Sequence, residues 1–332
     1  MSSLRIGAVG CGNQMAGNLV PSLQLHGLNL DAACDSNTAV LDNFCQRFGV
    51  TQKYTSAETM LAERDLDGVL IAVSGHQHPR LVEVCLRHGL LVYVEKPPAR
   101  TVDDWKQVLG SVANASSRIM IGLNKRFAPA YRAAATVGRR VGDERPSALT
   151  ISATYGPYET DEDFWYEFAI HYLDLADWIL GGISSPYLRS AFSAGGAVHA
   201  ITLEGRNGGV AQLLLSSLND GGTGSESLAT HWQMGRFEVE NLSLASFVQP
   251  TAPANTNEHG TMLGAASHFW SPNHTIPSPL QSSLYVAGYL GAIGAFLNAI
   301  RLGVPPVPGG QSALRLLDLI HALQQLKGDR SE

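Results

Sequence analysis

This sequence of 332 residues lacks an apolar run long enough to cross a bilayer. A spanning helix needs about 20 consecutive apolar residues, so we expect no membrane segment. Clustered positive charge is missing too, because 23 Lys and Arg residues stand against 29 Asp and Glu residues, a net charge of -6 at pH 7. Nucleic acids and anionic membranes bind basic surfaces, and the composition therefore argues against both as partners.

Cysteine is scarce, with four residues in the chain and none of them in a CxxC pair. Without that spacing, we interpret the cysteines as small buried apolar residues in a reducing compartment. A strand-like run begins at Arg5 and leaves no room for a signal peptide. We therefore expect a cytoplasmic protein.

Hydrophobic residues make up 45% of the chain and charged residues 16%, which is enough for two buried cores at this length. Residues 1–122 alternate short β-type runs with helical patterns. The predicted strands are 5–9, 30–34, 68–73, 90–94 and 118–122, and the predicted helices are 13–24, 39–48, 79–88 and those starting within 55–58 and 101–104. This alternation predicts an α/β fold class with a doubly wound parallel sheet, a Rossmann domain, over residues 1–122.

The pattern changes after residue 122. The predicted helices are 128–137, 163–180, 285–302 and 312–326, and the predicted extended segments are 148–155, 197–204, 210–218 and 231–241. Successive strands without helices between them favour a mostly antiparallel open sheet. Residues 123–332 are therefore predicted to form an α+β domain, with a turn at 221–224 and a long surface loop over 249–283.

A glycine turn follows the first predicted strand, in the order Gly10-Cys11-Gly12-Asn13-Gln14-Met15. Gly10 permits a tight turn, and Gly12 lets the backbone approach a pyrophosphate at the N-terminus of the next helix. Met15 stands where the GxGxxG fingerprint has its third glycine, a position that governs the packing of helix on strand. The sequence therefore predicts a dinucleotide site with altered local packing.

Asp35 ends the second predicted strand, about where an acidic residue accepts hydrogen bonds from the adenosine ribose. A carboxylate at this position would repel a 2′-phosphate, and the following Ser36 and Asn37 supply no positive charge. The sequence thus favours NAD over NADP as cofactor. The alternative is that Asp35 merely caps the next helix.

Several short motifs follow one another along the chain. They are Gly10-Cys11-Gly12, residues 71–78 (IAVSGHQH), Glu95-Lys96-Pro97, residues 122–127 (GLNKRF), residues 171–175 (HYLDL) and residues 303–306 (GVPP). In this order they resemble the Gfo/Idh/MocA family of glucose–fructose oxidoreductases and inositol dehydrogenases, over most of the chain. The resemblance implies an NAD(P)-dependent oxidoreductase acting on a sugar, cyclitol or related polyol. Together with the open sheet, it implies a homodimer or homotetramer.

The resemblance assigns acid/base chemistry to Lys96, which would also contact the cofactor and the substrate hydroxyl. The alternative is a lysine that extends from a strand end into solvent. The candidate cofactor contacts are Gly10, Gly12, Asn13, Gln14, Met15, Asp35, Ser36, Val73, Ser74, His76, His78, Glu95, Lys96 and Asn124. The candidate substrate contacts are Lys96, Arg126, Tyr155, His171 and Asp174. Arg126 could equally form a structural salt bridge.

Glu167, His171 and Asp174 are spaced i, i+4 and i+7, which places them on one face of an α-helix. Histidine exchanges a proton near pH 7, so His171 is the candidate general acid/base. Glu167 stands where the family usually has the shorter Asp, and it could orient His171 or enter the substrate pocket. Asp174 could contact the substrate or complete a relay. The alternative for His171 is a core histidine on an amphipathic helix.

His76 and His78 form an HxH pair, a spacing also found in zinc sites. The sequence shows no third ligand, and we predict no metal. The favoured reaction is hydride transfer between nicotinamide and a secondary alcohol or ketone carbon, with Lys96 and His171 in proton transfer. The open alternatives are imine reduction, a redox elimination that recycles NAD in place, and a non-catalytic regulator that binds dinucleotide and sugar.

Overall fold

A computed structural model describes residues 4–142, 145–218, 223–250, 265–273, 275, 278–279 and 282–328. The chain divides into two units. The first contains Met1–Asn124 and Gly288–Asp318, and the second contains Lys125–Ala287 and Leu319–Glu332. Each unit is built on its own sheet.

The first unit contains six parallel strands, in the order β3-β2-β1-β4-β5-β6. The strands are β1 Ile6–Val9, β2 Leu30–Cys34, β3 Gln52–Tyr54, β4 Gly68–Ile71, β5 Leu91–Glu95 and β6 Ile119–Gly122. Every residue of β1, β4 and β6 is buried, as expected for parallel strands that are covered on both faces. The predicted parallel sheet is confirmed. Only β3 is absent from the predicted set, because three residues are too few to form a pattern.

The helices of the described chain follow the predicted segments closely. They are α1 Val20–Leu25, α2 Thr38–Phe48, α3 Ala57–Glu63, α4 His78–Arg87, α5 Val102–Gly110, α6 Pro129–Thr136, α7 Asp161–Asp163, α8 Ile170–Leu180, α9 Ser283–Val286, α10 Tyr289–Leu302 and α11 Gly310–Gly328. Two π-helical turns, Met15–Leu19 and Phe164–Ala169, lead directly into α1 and α8. Ser56 caps α3, within the predicted helix start at 55–58. Among these described helices, none is both long and apolar enough to span a membrane.

The first unit recruits a C-terminal segment that the sequence-based division assigns to the second domain. The indole Nε1–H of Trp105 in α5 donates to the carbonyl of Gly310 at 2.9 Å. The backbone N–H of Ile121 in β6 donates to the carbonyl of Pro308 at 3.0 Å. The ring of Phe296 in α10 meets that of Tyr93 in β5, with centroids 5.9 Å apart. The structure therefore differs from the predicted division at 122/123 in where it places residues 288–318. The sequence of an apolar helix does not indicate which sheet the helix packs against.

The second unit contains eight strands, in the order β14-β13-β12-β11-β7-β10-β9-β8. The strands are β7 Ala148–Thr154, β8 Ile183–Ser193, β9 Gly196–Gly205, β10 Val210–Ser216, β11 Ser225–Trp232, β12 Gly235–Glu240, β13 Leu244–Pro250 and β14 Ala265–Trp270. Strands β7 and β10 pair in parallel, and the other neighbours pair antiparallel. The predicted mostly antiparallel sheet is confirmed.

The strand predictions in this sheet need correction in several places, and β13 is absent from the predicted set. Strand β8 is not predicted from the apolar pattern, because Leu188 is the one buried residue along it. Residues 231–241, predicted as one strand, include the turn between β11 and β12. Strand β14 lies inside the predicted loop 249–283, and its aromatic residues Phe269 and Trp270 are exposed. Residues 251–264 of that loop and the first two glycines of the predicted turn at 221–224 lie outside the described residues.

One face of the second sheet is turned to solvent. Tyr187 on β8 and Leu214 on β10 are 55% and 49% exposed. Residues that alternate with Leu214 along β10, such as Leu213 and Leu215, are buried on the opposite face. Exposed apolar side chains on an open sheet are typical of assembly surfaces. The homodimer or homotetramer stays a prediction, which light scattering at micromolar concentration tests.

A histidine is buried in the apolar core of the second unit. His199 on β9 is 0% exposed, and its ring lies 4.8 Å from that of Phe164 and 5.0 Å from that of Trp165, centroid to centroid. Ring nitrogen Nδ1 is 2.8 Å from the hydroxyl oxygen of Ser190. Desolvation by burial lowers the pKa of His199 to about 4. The folded protein therefore holds this imidazole in its neutral form at pH 7.

The buried histidine makes stability depend on pH. In the unfolded chain its pKa returns to about 6.5, so below that pH the unfolded state binds the extra proton. The free energy of unfolding should fall by about 3 kcal/mol from this source between pH 6.5 and pH 4. We expect His199→Phe to remove that loss, as measured by urea unfolding across the pH range. An unchanged difference between pH 7 and pH 4 in the variant would contradict the assignment.

Candidate active site

The glycine turn after β1 is fixed by a close approach of two strands. Gly10 has φ of +86°, and a Cβ there would lie 2.2 Å from the carbonyl oxygen of Ala72, so only glycine fits. Its N–H donates to the carbonyl of Cys34 at 2.8 Å. At Gly12 a Cβ would meet no protein atom within 4 Å. The turn thus brings together the ends of β1, β2 and the segment after β4, and leaves room for a ligand at Gly12.

Asp35 fastens the end of β2 to this turn. Its carboxylate accepts hydrogen bonds from the backbone N–H groups of Cys11 and Asn37, both at 2.8 Å. The cap of α2 is instead the side chain of Asn37, which accepts from the N–H groups of Ala39 and Val40 at 3.1 and 3.2 Å. The alternative reading of Asp35 as a helix cap is therefore wrong. Its carboxylate is held beside Gly12 by other bonds.

A cavity of about 480 Å³ opens at this edge of the parallel sheet. It is lined by Val9, Gly10, Gly12, Cys34, Asp35, Ser36, Thr55, Ser56, Ala57, Glu58, Ala72, Val73, Ser74, Gln77, Arg80 and Leu81. Six of the predicted cofactor residues are among them: Gly10, Gly12, Asp35, Ser36, Val73 and Ser74. Sequence reasoning missed Glu58, Gln77 and Arg80, because Glu58 lies in a predicted helix start and the other two belong to no phosphate-binding motif.

The charges around this cavity are unequal. Asp35 and Glu58 contribute two carboxylates, and Arg80 contributes one guanidinium, a net charge of -1 among the lining residues. Arg80 forms a salt bridge with Glu58. The guanidinium of Arg80 is therefore already neutralised by Glu58. Among the hydrogen bonds described above, Asp35 accepts only from backbone N–H groups.

Glu95 lies buried beneath the glycine turn, with 5% of its surface exposed. It accepts hydrogen bonds from Gln14 Nε2 at 3.0 Å, from the hydroxyl of Tyr93 at 3.4 Å and from the backbone N–H of Lys96 at 3.3 Å. Desolvation by burial raises the pKa of Glu95. A Cβ on Gly122 would lie 2.8 Å from its carboxyl group. Glu95 thus connects β5, β6 and the first helix from within, and its direct contact with a cofactor stays a prediction.

Lys96 is half-buried and directly follows β5. The next residue is joined to it by a cis peptide bond, and the carbonyl of Pro97 lies 2.6 Å from Nδ1 of His78. Because a carbonyl only accepts, Nδ1 of His78 must carry the proton. His78 is 1% exposed and therefore positions the segment behind Lys96. His76, by contrast, is exposed.

The other predicted cofactor residues differ in exposure. Asn13 is exposed in the glycine turn, whereas Met15 is 0% exposed and Asn124 is 7% exposed. Met15 also begins the π-helical turn Met15–Leu19, so local geometry departs from a regular helix where the third glycine is missing. A buried side chain at Met15 leaves only its backbone to approach a ligand.

The helix with the candidate acid/base is not α-helical throughout. Glu167 lies in the π-helical turn Phe164–Ala169, and His171 lies in the first turn of α8. In a π-helix the hydrogen bonds run from i to i+5, so the turn is wider. Residues four apart still lie close to one face in a π-helical turn, so the shared face of Glu167 and His171 stays a prediction. Both side chains are half-buried.

Arg126 and Asp174 form a buried salt bridge in the second unit. Nε of Arg126 donates to Oδ2 of Asp174 at 2.7 Å, and Nη2 donates to Oδ1 at 2.5 Å. The two side chains are 7% and 2% exposed. This paired geometry supports the structural reading of Arg126 and a positioning role for Asp174. Their direct contact with substrate stays a prediction.

A second cavity, of about 550 Å³, lies within the second unit. It is lined by Lys125, Thr154, Tyr155, Phe168, Tyr172, Thr223, Gly224, Ser225, Glu226 and Asn241. Tyr155 was predicted as a substrate contact and is 51% exposed here. Sequence reasoning missed Lys125 and Glu226, which lie 101 positions apart and meet only through folding.

Among the residues that the structure describes, no three His, Cys, Asp or Glu side chains are placed so that they could hold a metal ion together. The four cysteines, Cys11, Cys34, Cys45 and Cys85, are buried and free. Burial raises the pKa of each thiol, to about 11 for Cys34 and about 12 for Cys85.

Comparison with known proteins identifies the first unit. Residues 4–123 match the model of the GFO_IDH_MocA family, described as an oxidoreductase family with an NAD-binding Rossmann fold. Over these residues the chain is similar to the Gfo/Idh/MocA family. The resemblance drawn from the motif order is confirmed.

Relatives within the Gfo/Idh/MocA family include sugar and cyclitol dehydrogenases. The chain is 28% identical over 188 residues to a D-apiose dehydrogenase from Paraburkholderia graminis, which covers 53% of this chain and 49% of the relative. It is 24% identical over 303 residues to an inositol 2-dehydrogenase from Rhizobium meliloti, with 88% and 87% covered. The chain thus spans about half the length of the apiose dehydrogenase.

A solved structure shares the fold over the full length. The dehydrogenase from Chromobacterium violaceum aligns with a TM-score of 0.84 at 21% identity, covering 100% of this chain and 99% of that one. At this identity the likeness shows the fold alone. Both the parallel sheet and the eight-stranded sheet therefore occur together in this solved structure as well.

The Arg126–Asp174 pair predicts a large, testable loss of stability when one partner is removed. Arg126→Met removes the guanidinium that binds both oxygens of a buried carboxylate, and we expect the free energy of unfolding to fall by about 3–5 kcal/mol. The double variant with Asp174→Leu should recover part of that loss, because it removes the buried charge as well. Urea unfolding followed by circular dichroism measures both.

The matched control is Arg236→Met. Arg236 pairs with Glu238 at 2.8 Å, but the two side chains are 50% and 36% exposed. An exposed pair contributes about 0–1 kcal/mol, so this variant should change stability little. Equal losses in Arg126→Met and Arg236→Met would show that Asp174 does not depend on its buried partner.

Proposed function

We propose that this protein is an NAD-dependent dehydrogenase that acts on a secondary alcohol or ketone carbon of a sugar, cyclitol or related polyol. The main support is the cavity at Gly12, which Asp35 borders and which lies in the same unit as Lys96. The D-apiose and inositol dehydrogenases among the relatives support this substrate class.

The residues at the cavity fit a dinucleotide. The open space over Gly12 and the N-terminus of the following helix suit a pyrophosphate, since backbone N–H groups and the helix dipole favour negative charge there. The Asp35 carboxylate suits a ribose diol, which donates hydrogen bonds. Bound nicotinamide would accept hydride in oxidation and supply it in reduction.

In this proposal, Lys96 and His171 handle the proton. During oxidation His171 accepts the proton of the substrate hydroxyl, and the Lys96 ammonium stabilises negative charge on the oxygen. During reduction the two groups act in the opposite sense, and the oxygen receives a proton. His78 supports Lys96 indirectly, because its bond to the Pro97 carbonyl fixes the backbone of that segment.

The two acids of the helix would have different tasks. Asp174 is occupied by Arg126 in a buried salt bridge, so we propose that it fixes the start of α8 on which His171 lies. Glu167 is half-buried in the π-helical turn and is the remaining candidate to orient His171 or to contact substrate. A positioning role for Asp174 and a direct role for Glu167 would follow from this difference in burial.

Substitution of the two proton-transfer residues tests the reaction. We expect Lys96→Ala and His171→Ala to lower kcat by about 10²–10⁴, the usual contribution of general acid–base catalysis. A panel of aldoses, cyclitols and polyols with NAD, followed by NADH absorbance, first identifies the substrate of the wild-type protein. His171→Ala should keep the wild-type affinity for NADH, measured by fluorescence titration, because His171 has no proposed cofactor contact.

The matched controls are Lys106→Ala and His88→Ala, which change exposed side chains of the first unit. Both should retain wild-type kcat. If Lys96→Ala and His171→Ala also retained it on the same substrate, the proposed chemistry would be wrong.

The cofactor preference can be tested at the cavity charges. The combined change of Asp35→Ser and Glu58→Gln removes two carboxylates and releases Arg80 from its salt bridge. We expect the ratio of NADPH to NADH affinity to rise by at least about tenfold, a change of about 1.4 kcal/mol, because a 2′-phosphate would no longer face acids. Fluorescence titration of both cofactors gives the ratio.

Glu83→Gln is the control for this change, because Glu83 pairs with Arg87 on α4 and is not among the cavity residues. The control should leave the ratio as in the wild type. A wild-type protein that binds NADPH more tightly than NADH would refute the proposed preference.

A further inference from the structure

The cavity of the second unit has a charged pair in its wall. Nζ of Lys125 lies 2.7 Å from Oε1 and 2.6 Å from Oε2 of Glu226. The hydroxyl of Tyr172 donates to the same Oε2 at 2.8 Å. The side chains of Lys125 and Glu226 are 16% and 13% exposed, so the pair borders the cavity without being immersed in solvent.

The lysine is held by more than this one contact. Its Nζ lies 5.1 Å from the ring centroid of Tyr172, within range of a cation–π interaction. Burial and the Glu226 carboxylate raise the pKa of Tyr172 well above its usual value, so the phenol keeps its proton and remains a donor. Three groups from three elements therefore fix the Glu226 carboxylate and the Lys125 ammonium in one arrangement.

The charges of this wall cancel. Among the described residues that line the cavity, Lys125 and Glu226 are the ones with a full charge, one of each sign. An incoming carboxylate or phosphate would gain attraction to Lys125 but would face Glu226 at nearly the same distance. It would also lose its hydration, and with no net charge to compensate, entry becomes unfavourable.

The remaining lining suits hydroxyl groups and C–H faces. Tyr155 and Phe168 supply aromatic surface, with ring centroids 6.4 Å apart and planes 27° from parallel. Thr154, Ser225 and Asn241 add short polar side chains. A hydroxyl group both donates and accepts, so it can bond to the ammonium and the carboxylate of the pair together. The volume of about 550 Å³ lies within the range of small-molecule pockets.

We propose that this cavity binds a polyol and that Glu226, by neutralising Lys125, restricts it to uncharged sugars and cyclitols over sugar acids and sugar phosphates. The inference depends on the proposed function for the identity of the reaction, but the binding preference can be measured without turnover. Glu226 is a specificity-determining residue in this scheme, and Lys125 is its partner.

The test compares a neutral sugar with its acid. D-Glucose and D-glucuronate, and likewise D-galactose and D-galacturonate, differ by a carboxylate at one carbon. Isothermal titration calorimetry with NADH present measures the affinity of each sugar for the wild-type protein and for Glu226→Gln. The wild-type protein should bind the neutral member of a pair more tightly. Glu226→Gln leaves Lys125 charged, and we expect the acid-to-neutral affinity ratio to rise by about tenfold or more.

Two further variants separate charge from structural damage. Lys125→Gln with Glu226→Gln removes both charges and should return the ratio to within about threefold of the wild-type value. Glu238→Gln breaks the exposed pair with Arg236 on β12, outside the cavity, and should leave the ratio unchanged. Circular dichroism checks whether each variant is folded. If Glu226→Gln does not fold, the affinity ratios of the double variant and of the wild-type protein still test the inference.

The possible outcomes separate this inference from the proposed function. A wild-type protein that prefers the acids, a protein that binds no member of either pair or myo-inositol, or an unchanged ratio in folded Glu226→Gln would overturn the inference. Binding of neutral sugars without NAD reduction on any of them would leave the inference intact and count against the proposed dehydrogenase. NAD reduction on a sugar, together with tighter binding of the acids than of the neutral sugars, would overturn the inference and support the proposed dehydrogenase.

Discussion

A contact that no side chain could survive occurs at Gly10. A Cβ there would stand 2.2 Å from the carbonyl of Ala72, and the same residue donates its N–H to Cys34. Three strand ends therefore converge on one backbone position with left-handed φ. The cavity, the exposed position of Gly12 and the reach of Asp35 to the N–H of Cys11 all depend on that convergence. A residue with a side chain at this position would separate the strands and remove the cavity with them.

Charge is treated differently in the two units. In the first unit, the Glu95 carboxylate is buried among neutral hydrogen-bond donors. This burial below the glycine turn raises the pKa of Glu95. In the second, the buried charges occur as opposite pairs, Arg126 with Asp174 and Lys125 with Glu226. Removing one partner of a buried salt bridge destabilises the fold strongly, although the intact salt bridge adds little to folding stability. Its main effect is therefore to fix the positions of the two side chains. Both pairs include a residue of the segment 124–127, which is thereby anchored to α8 and to β11.

Local signals account for most of what the sequence predicted correctly. Continuous apolar runs identify β1, β4 and β5, because strands buried on both faces need no alternation. The glycine turn and Asp35 are recognisable because their spacing is set by short-range geometry along the chain. The features that escaped prediction are long-range or irregular. Glu226 meets Lys125 only through the register of β11 beside β7, and α10 carries apolar residues that would suit either sheet. The π-helical turn before α8 widens the helix at Glu167, and residue spacing alone contains no sign of it.

The separate cap on α2 has a consequence for the proposed dinucleotide preference. Because Asn37 satisfies the first N–H groups of that helix, Asp35 is not needed to start it. An exchange at Asp35 loses hydrogen bonds to a turn but leaves the helix with its own cap. Substitutions at Asp35 and Glu58 could therefore change the proposed dinucleotide preference while α2 and the sheet stay intact.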